Sequence, residues 1–334
     1  MIKNKIFLIL TFIIIFIGVI LLLWFCAPKQ VPQKTVFGVT FSKRQAKDLN
    51  LDWKKLYIEI LDDLKVKHLR IPAYWDEIQP KENQYNFKDL DWQINEAKKR
   101  NVDIILVIGR KQPRWPECFI PNWASSDLKI QRQQILNMLE KVIRRYKYEE
   151  SIWAWQIENE PLFHCGICPE YNKKFLDKEI SLAKSLDTRP IIITDSGEFS
   201  LWVNAGKRAD ILGTSLYRIV RNKILGYISY EFIPASFYQK KAYIIKKIFP
   251  NLKDIIIIEL QAEPWVKKLP INIWPIEEQF KTMDFERFNH IIEYGKKVGY
   301  SKTYLWGVEW WAYLRQNNHP EFWEKAKEVF RDER

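Results

Sequence analysis

Residues 254–260 read Asp-Ile-Ile-Ile-Ile-Glu-Leu, four consecutive isoleucines that lead into a carboxylate. An apolar run this short and uniform is typical of a strand that is buried on both faces, as in a parallel sheet. Seven further apolar runs precede or follow it, so one short unit recurs along the chain. They are Val36–Thr40, His68–Pro72, Asp103–Gly109, Ile152–Asn159, Pro190–Asp195, Ile211–Tyr217 and Thr303–Val308.

Amphipathic segments of helical period separate these runs. Strands that alternate with helices predict βαβ crossovers and a parallel sheet. Eight units favour a closed (β/α)₈ TIM barrel of the α/β class over an open doubly wound sheet, which would also need a glycine-rich turn after the first strand. The predicted helices are Trp53–Lys65, Leu90–Arg100, Leu128–Tyr146, Tyr171–Leu186, Ala235–Phe249, Phe285–Val298 and Glu321–Phe330.

The first residues form a separate unit. Lys3 and Lys5 precede an almost unbroken apolar run, Ile6–Phe25, which as a helix is long enough to cross a hydrocarbon core of about 30 Å. We expect residues 1–26 to be a single transmembrane anchor in the cell membrane, with the rest of the chain on the extracytoplasmic side. A cleaved signal, which would release a secreted protein, and a lipidated Cys26 are the alternatives. Residues 27–35 are interpreted as a linker, and 36–334 as one barrel domain.

Charge and cysteine usage restrict the partners and cofactors. The formal net charge is +12, but the basic residues are scattered singly, so we expect no nucleic acid partner. Anionic lipid and acidic glycan remain open, although a surface of solvated lysines is the simpler explanation. Cys118, Cys165 and Cys168 favour a disulfide within the loops, with the pairing open. The stretch His164–Cys168 lacks the second cysteine pair of a zinc site, so we expect no metal and no cofactor.

Polar groups at the strand ends are the candidate functional residues, because ligands of this fold bind at the carboxyl ends of the strands. The fourth run leads into Glu160, and the seventh contains Glu259. A buried carboxylate after four isoleucines needs a partner, for which Arg70 in the second run is a candidate; a purely structural ion pair is the alternative interpretation. Two carboxylates facing each other across the barrel mouth suit two-step glycoside hydrolysis, with one as nucleophile and the other as acid/base.

The stretch Trp155-Gln156-Ile157-Glu158-Asn159-Glu160-Pro161, together with Glu259, resembles clan A of the glycoside hydrolases from Phe37 to Phe330. The resemblance implies a retaining enzyme that cleaves O-glycosidic bonds, most often β-linked, in an oligo- or polysaccharide. It makes Glu160 the acid/base and Glu259 the nucleophile. Four further matches imply substrate-binding or supporting roles, namely Arg70 on the second strand, Asn159, Tyr217 on the sixth strand, and Trp306 as the floor under the reacting sugar.

Two departures leave the family within the clan open. The loop Arg110–Pro116 lacks the histidine that many clan members place there, and Glu263 adds a carboxylate after the seventh strand. We expect Glu263 to cap a loop. Tryptophans that follow strand runs are candidates for stacking on sugars, with loop packing as the alternative for about half of them. They are Trp75, Trp115, Trp265 and Trp310, with Trp123 and Trp311 as further candidates.

Three alternative functions fit the sequence less well. A membrane-anchored barrel that binds carbohydrate without cleaving it would use the same tryptophans, but it would not need both glutamates. A barrel enzyme that acts on phosphorylated sugars would need a glycine-rich loop near the last two strands. A metal-dependent hydrolase is disfavoured because the chain has only 4 histidines, without ligand pairing.

Overall fold

The computed structural model describes residues 34–164, 166–222 and 225–331. Within these ranges the strands are β1 Val36–Thr40, β2 His68–Pro72, β3 Asp103–Ile108, β4 Ile152–Ile157, β5 Ile191–Ser196, β6 Ile211–Leu216, β7 Ile219–Asn222, β8 Gly226–Ser229, β9 Asp254–Gln261 and β10 Lys302–Trp306. Eight of them are parallel and close into a barrel, in the order β1-β10-β9-β6-β5-β4-β3-β2, and β7 and β8 form a separate antiparallel hairpin. The TIM barrel is therefore confirmed.

All eight predicted runs are barrel strands, and each predicted end lies within two residues of the observed one. The seventh predicted run corresponds to β9, because the hairpin of β7 and β8 was not predicted from the sequence. The helices are α1 Lys43–Asp48, α2 Trp53–Asp62, α3 Trp75–Ile78, α4 Lys88–Lys98, α5 Leu128–Tyr146, α6 Lys173–Leu186, α7 Val203–Gly206, α8 Ala235–Ile248, α9 Ile276–Phe280, α10 Phe285–Val298, α11 Val308–Gln316 and α12 Glu321–Arg331, with a 3₁₀ turn at Ile271–Ile273.

Local capping explains where several of the long helices begin. The Asp52 side chain accepts hydrogen bonds from the Lys54 and Lys55 amides at the start of α2. Asn172 and Asp284 cap α6 and α10 in the same way. A side-chain acceptor at this position satisfies amides that the helix leaves unpaired, typically stabilising it by about 1 kcal/mol.

The isoleucine run of β9 serves two cores. Ile256 and Ile258 pack inside the barrel, whereas Ile255 and Ile257 pack in the layer between barrel and helices. Strict alternation would send Glu259 outward. The pairing of β9 shifts register between Ile257 and Glu259, however, and a bulge of this kind turns the next side chain to the other face. Glu259 consequently enters the barrel mouth.

A disulfide joins Cys118, in the loop after β3, to Cys168, in the loop after β4. The expectation of a disulfide within the loops is therefore confirmed, and Cys165 lies outside the described residues. The predicted anchor, residues 1–26, also lies outside them. None of the described helices is long and apolar enough to span a membrane.

Candidate active site

Arg70 is the centre of a hydrogen-bond network at the carboxyl end of the barrel. It projects from β2 and is fully buried. Its guanidinium donates to Gln156 Oε1 at 2.8 Å, to Asn159 Oδ1 at 2.6 Å and to Glu259 Oε1 at 2.8 Å. The planar fork of arginine donors suits three acceptors in fixed directions. One side chain from β2 thereby fixes the ends of β4 and β9 relative to each other.

Glu259 is buried, and its side chain has two hydrogen-bonding partners. Its Oε1 forms the ion pair with Arg70, and its Oε2 accepts a hydrogen bond from the Tyr217 hydroxyl at 2.9 Å. Burial and the nearby carboxylates Glu259 and Glu160 raise the pKa of Tyr217 well above its usual value, so the phenol stays a proton donor. Arg70 and Tyr217 therefore hold the two oxygens of Glu259 in a fixed orientation, with a cation beside one of them.

Glu160 lies three residues beyond the end of β4. Its environment differs from that of Glu259. Its Oε1 accepts a hydrogen bond from the Ser215 hydroxyl at 2.6 Å, and its amide donates to Thr194 Oγ1 at 2.7 Å. Burial, followed by the negative charge of Glu259, raises the pKa of Glu160 to about 8, whereas Ser215 lowers it. Glu160 is protonated at neutral pH and can donate a proton.

The turn that carries Glu160 has an unusual backbone. Glu158 and Glu160 have positive φ angles of 59° and 41°, which non-glycine residues adopt only when the surroundings impose them. The Glu158 carboxylate accepts from the amides of Arg110 and Lys111 in the loop after β3. At Gly109 a Cβ would lie 2.6 Å from that carboxylate, so only glycine allows this contact.

A second buried carboxyl group, that of Glu179, lies next to Glu158. Glu179, in α6, is fully buried and accepts a hydrogen bond from the Tyr171 hydroxyl at 2.5 Å. Burial and the neighbouring Glu158 raise the pKa of Glu179 well above its usual value, which favours the neutral form of Glu179. Nothing in the sequence marks this residue, because a single glutamate within an amphipathic helix ordinarily faces solvent.

Trp306 lies beside a cluster of charged residues at the end of β10. Its indole donates to Glu263 Oε1 at 2.8 Å, and the Arg114 guanidinium lies 4.0 Å from its ring centre. Arg114 forms ion pairs with Glu263 and, at 2.7 Å, with Glu309. Burial raises the pKa of Glu309 to about 7. Glu263 therefore belongs to this cluster, and Arg114 belongs to the loop in which the expected histidine is missing.

The candidate tryptophans divide into two groups. Trp265 is half-buried and contacts Tyr217 edge-on at 5.4 Å. Trp115 is 54% exposed, so both rings have surface that a ligand can contact. Trp75 and Trp310, by contrast, are fully buried. Their indoles donate to glutamines within the core, Gln79 and Gln279 respectively. The prediction that Trp75 and Trp310 contact the sugar is therefore wrong, because neither ring has an exposed face.

Trp123 and Trp311 follow the same division. Trp311 is fully buried, and its indole donates to the carbonyl of Ala262 at 2.7 Å. Trp123 is half-buried and packs edge-on against Trp75 at 5.9 Å. Among the described residues no three His, Cys, Asp or Glu side chains converge as a metal site would require.

Comparisons with known proteins agree with this geometry. Residues 35–198 match the family model of cellulases, glycosyl hydrolase family 5. β-Galactosidase BgaA of Clostridium cellulovorans is 25% identical over 172 residues, which covers 45% of this chain and 26% of BgaA. β-Galactosidase LacA of Lactobacillus acidophilus is 26% identical over 133 residues, covering 34% and 20%. The chain thus spans about a quarter or less of these relatives' length.

Solved structures are similar in fold. The enzyme GH5_18 of Bifidobacterium longum subsp. longum superposes with a TM-score of 0.58 at 11% identity, covering 82% of this chain and 70% of that one. An endoxylanase of family GH10 from a sugarcane soil metagenome gives 0.55 at 14% identity, covering 82% and 86%. The fold is the TIM barrel of these structures, and two buried carboxyl groups face its mouth. Residues 35–198, slightly less than half of the chain, resemble glycosyl hydrolase family 5, a family of clan A.

Proposed function

We propose that this chain hydrolyses β-linked O-glycosidic bonds of an oligo- or polysaccharide with retention, with Glu259 as nucleophile and Glu160 as acid/base. The contrast between the two carboxyl groups carries the proposal. Glu259 is paired with a cation, Arg70, whereas Glu160 has its pKa raised to about 8 by burial and by Glu259. Two carboxyl groups in such different surroundings, one beside a cation and one with a raised pKa, are what this chemistry requires at its start.

In the first step Glu259 attacks the anomeric carbon while Glu160 gives its proton to the departing oxygen. The C–O bond to the leaving group breaks, and an ester bond between the sugar and Glu259 forms. Tyr217 and Arg70 hold the two oxygens of Glu259, so little reorganisation precedes the attack. Asn159, fixed by Arg70 at 2.6 Å, is placed to bind the hydroxyl beside the anomeric carbon.

In the second step Glu160 removes a proton from water, and the water oxygen displaces Glu259. Ester formation makes Glu259 neutral, and this removes the charge that helps to raise the pKa of Glu160. The pKa of Glu160 therefore falls in the intermediate, and the same residue becomes a base. Trp306 lies at the mouth as the floor under the reacting sugar, with its indole anchored to Glu263.

The matched relatives suggest which sugars to test first. Two of them are β-galactosidases, although each match covers less than half of this chain. The proposed chemistry of the site does not choose among galactosides, glucosides and mannosides, because specificity resides in the loops around the mouth. A β-galactoside is therefore the first candidate in a panel that contains all three.

The decisive experiment is covalent trapping. The soluble barrel, from about Lys34 onward, is incubated with a panel of activated 2-deoxy-2-fluoro β-glycosides and examined by intact mass spectrometry and peptide mapping. We expect an adduct on Glu259, which identifies the nucleophile, the retaining mechanism and the accepted sugar together. Absence of any adduct, with glycan binding but no hydrolysis across a broad panel, would instead favour the non-catalytic carbohydrate-binding barrel.

The membrane anchor is a separate proposal that rests on the sequence alone. The apolar run Ile6–Phe25 would hold the barrel on the extracytoplasmic face of the cell membrane. Fractionation of cells that express the full chain checks this: the anchored form stays in the membrane after a high-salt wash. Recovery of a shortened chain in the medium would indicate a cleaved signal instead.

A further inference from the structure

Three aromatic side chains lie together on the loops that follow β4, β5 and β6. The rings of Phe163 and Phe199 are stacked, with centroids 5.9 Å apart and planes within 8° of parallel. Phe199 also contacts the Tyr230 ring edge-on at 5.6 Å. Phe199 is 59% exposed, and the other two are half-buried. These three residues, here termed the aromatic platform, form an aromatic cluster from which the Phe199 ring is exposed to solvent.

The loop that carries Phe199 is held rigidly. Lys241 donates to the carbonyl groups of Gly197 at 2.7 Å and of Ser200 at 2.5 Å, on either side of Phe199. Its ammonium also lies 3.9 Å from the centre of the Trp202 ring. Burial lowers the pKa of Lys241 to about 8, so this bracing carries a desolvation cost. A rigid backbone under an exposed ring is the arrangement of a preorganised binding surface.

The platform begins beside the acid/base. The Phe163 amide donates to the Glu160 carbonyl at 3.0 Å, and the Tyr230 amide donates to the carbonyl of Arg218, next to Tyr217, at 2.7 Å. Glu160 must reach the oxygen that joins the reacting sugar to its leaving group. The leaving group therefore lies on the Glu160 side of the mouth, where the platform is.

We propose that the aromatic platform binds the first sugar of the leaving group through the apolar face of its ring. Flat apolar sugar faces pack on aromatic rings much as a second aromatic ring does. The proposal rests on the proposed function, since it needs Glu160 as the acid. By microscopic reversibility the same surface holds the acceptor in the second step, so it also favours transfer of the glycosyl group to an added sugar.

A comparison of two substrates with the same reacting sugar tests the platform. A β-glycosyl fluoride has a leaving group too small to reach it, whereas the matching disaccharide extends over it. For Phe199→Ala we expect kcat/KM on the disaccharide to fall about tenfold, with the value on the fluoride within about twofold of the parent. Transfer to an added acceptor sugar should fall with the disaccharide value. The control is Tyr148→Ala, because Tyr148 is 81% exposed and precedes β4 at the opposite end of the barrel.

Each outcome separates the platform from the mechanism. Hydrolysis of both substrates with an unchanged ratio in Phe199→Ala would overturn the platform and leave the proposed function intact. An equal loss on fluoride and disaccharide would mean that Phe199 acts structurally. No turnover of either substrate by the parent enzyme would remove the proposed function itself.

Discussion

The ends of β4 and β9 both bring a buried glutamate to the barrel mouth, but they do so by different means. On β9 a register shift within a regular strand turns Glu259 inward, and a cation and a phenol hold it. On β4 the strand has already ended, and two residues of positive φ place Glu160. The Ser215 hydroxyl donates to its carboxyl group, and the Glu160 backbone amide donates to Thr194.

This difference supports the proposed roles of the two glutamates more strongly than their positions do. A cation beside a carboxylate favours its charged form, whereas burial among neutral groups favours the protonated form. The negative charge of Glu259 adds to the second effect and raises the pKa of Glu160 further. The protonation of one end is thus partly set by the charge of the other, which makes the pair a coupled system.

The largest expected effect is at the β9 end. Glu259→Gln keeps the size of the side chain but removes the nucleophile, so kcat should fall on the order of 10⁴-fold or more on every substrate. Steady-state assays at a matched folded fraction, determined by circular dichroism, check this. The control is Glu150→Gln, an exposed carboxylate in the turn before β4. If Glu259 were only the structural partner of Arg70, the variant would lose stability but retain activity per folded molecule.

At the β4 end the loss should depend on the leaving group. Glu160→Ala removes the acid/base, and general acid–base catalysis contributes typically 10²–10⁴-fold. We expect a loss of that size on unactivated glycosides and a much smaller loss of the first step with a dinitrophenyl glycoside. Azide should restore turnover and yield a glycosyl azide of retained configuration. An equal loss of rate on activated and unactivated substrates would mean that Glu160 does not act as the acid, and it would contradict the proposed contrast between the ends of β4 and β9.

The third prediction weakens the β9 end without removing its carboxylate. Tyr217→Phe deletes the 2.9 Å hydrogen bond to Glu259. A hydrogen bond to a charged group contributes about 1.5–3 kcal/mol, so kcat should fall about tenfold to a hundredfold. Tyr148→Phe, far from the mouth, serves as the matched control. An unchanged kcat would mean that Arg70 alone suffices to orient the nucleophile.

The strand ends were predictable because they follow from periodicity and from the cost of burying charge. Four isoleucines predicted a strand that is buried on both faces, and Glu259 after them demanded a partner, which Arg70 provides. The bulge that turns Glu259 inward was not predictable. Register shifts depend on the pairing of neighbouring strands, and a single strand's sequence does not contain that pairing.

The aromatic residues were predicted less well, for a physical reason. Trp75 and Trp310 follow strands, but both are packed in the core, where their indoles donate hydrogen bonds to glutamine side chains. Phe199, at the tip of a braced loop, was not singled out at all. Tryptophan combines a large apolar area with one donor, so its sequence position alone does not distinguish a core anchor from a sugar platform.

The smallest effect, and the sharpest test of coupling, is a shift in pH dependence. The Ser215 hydroxyl donates to Glu160 and lowers its pKa, opposing burial and Glu259. Without that donor the charged form of Glu160 is less stable, so the pKa rises above about 8. The alkaline limb of kcat/KM reports loss of the proton from Glu160 in the free enzyme. In Ser215→Ala this limb should therefore move to higher pH, by about one unit. Ser185→Ala, in α6 on the barrel exterior, should leave the limb in place. A shift toward lower pH in Ser215→Ala would mean that Glu160 is not the group whose protonation limits the first step.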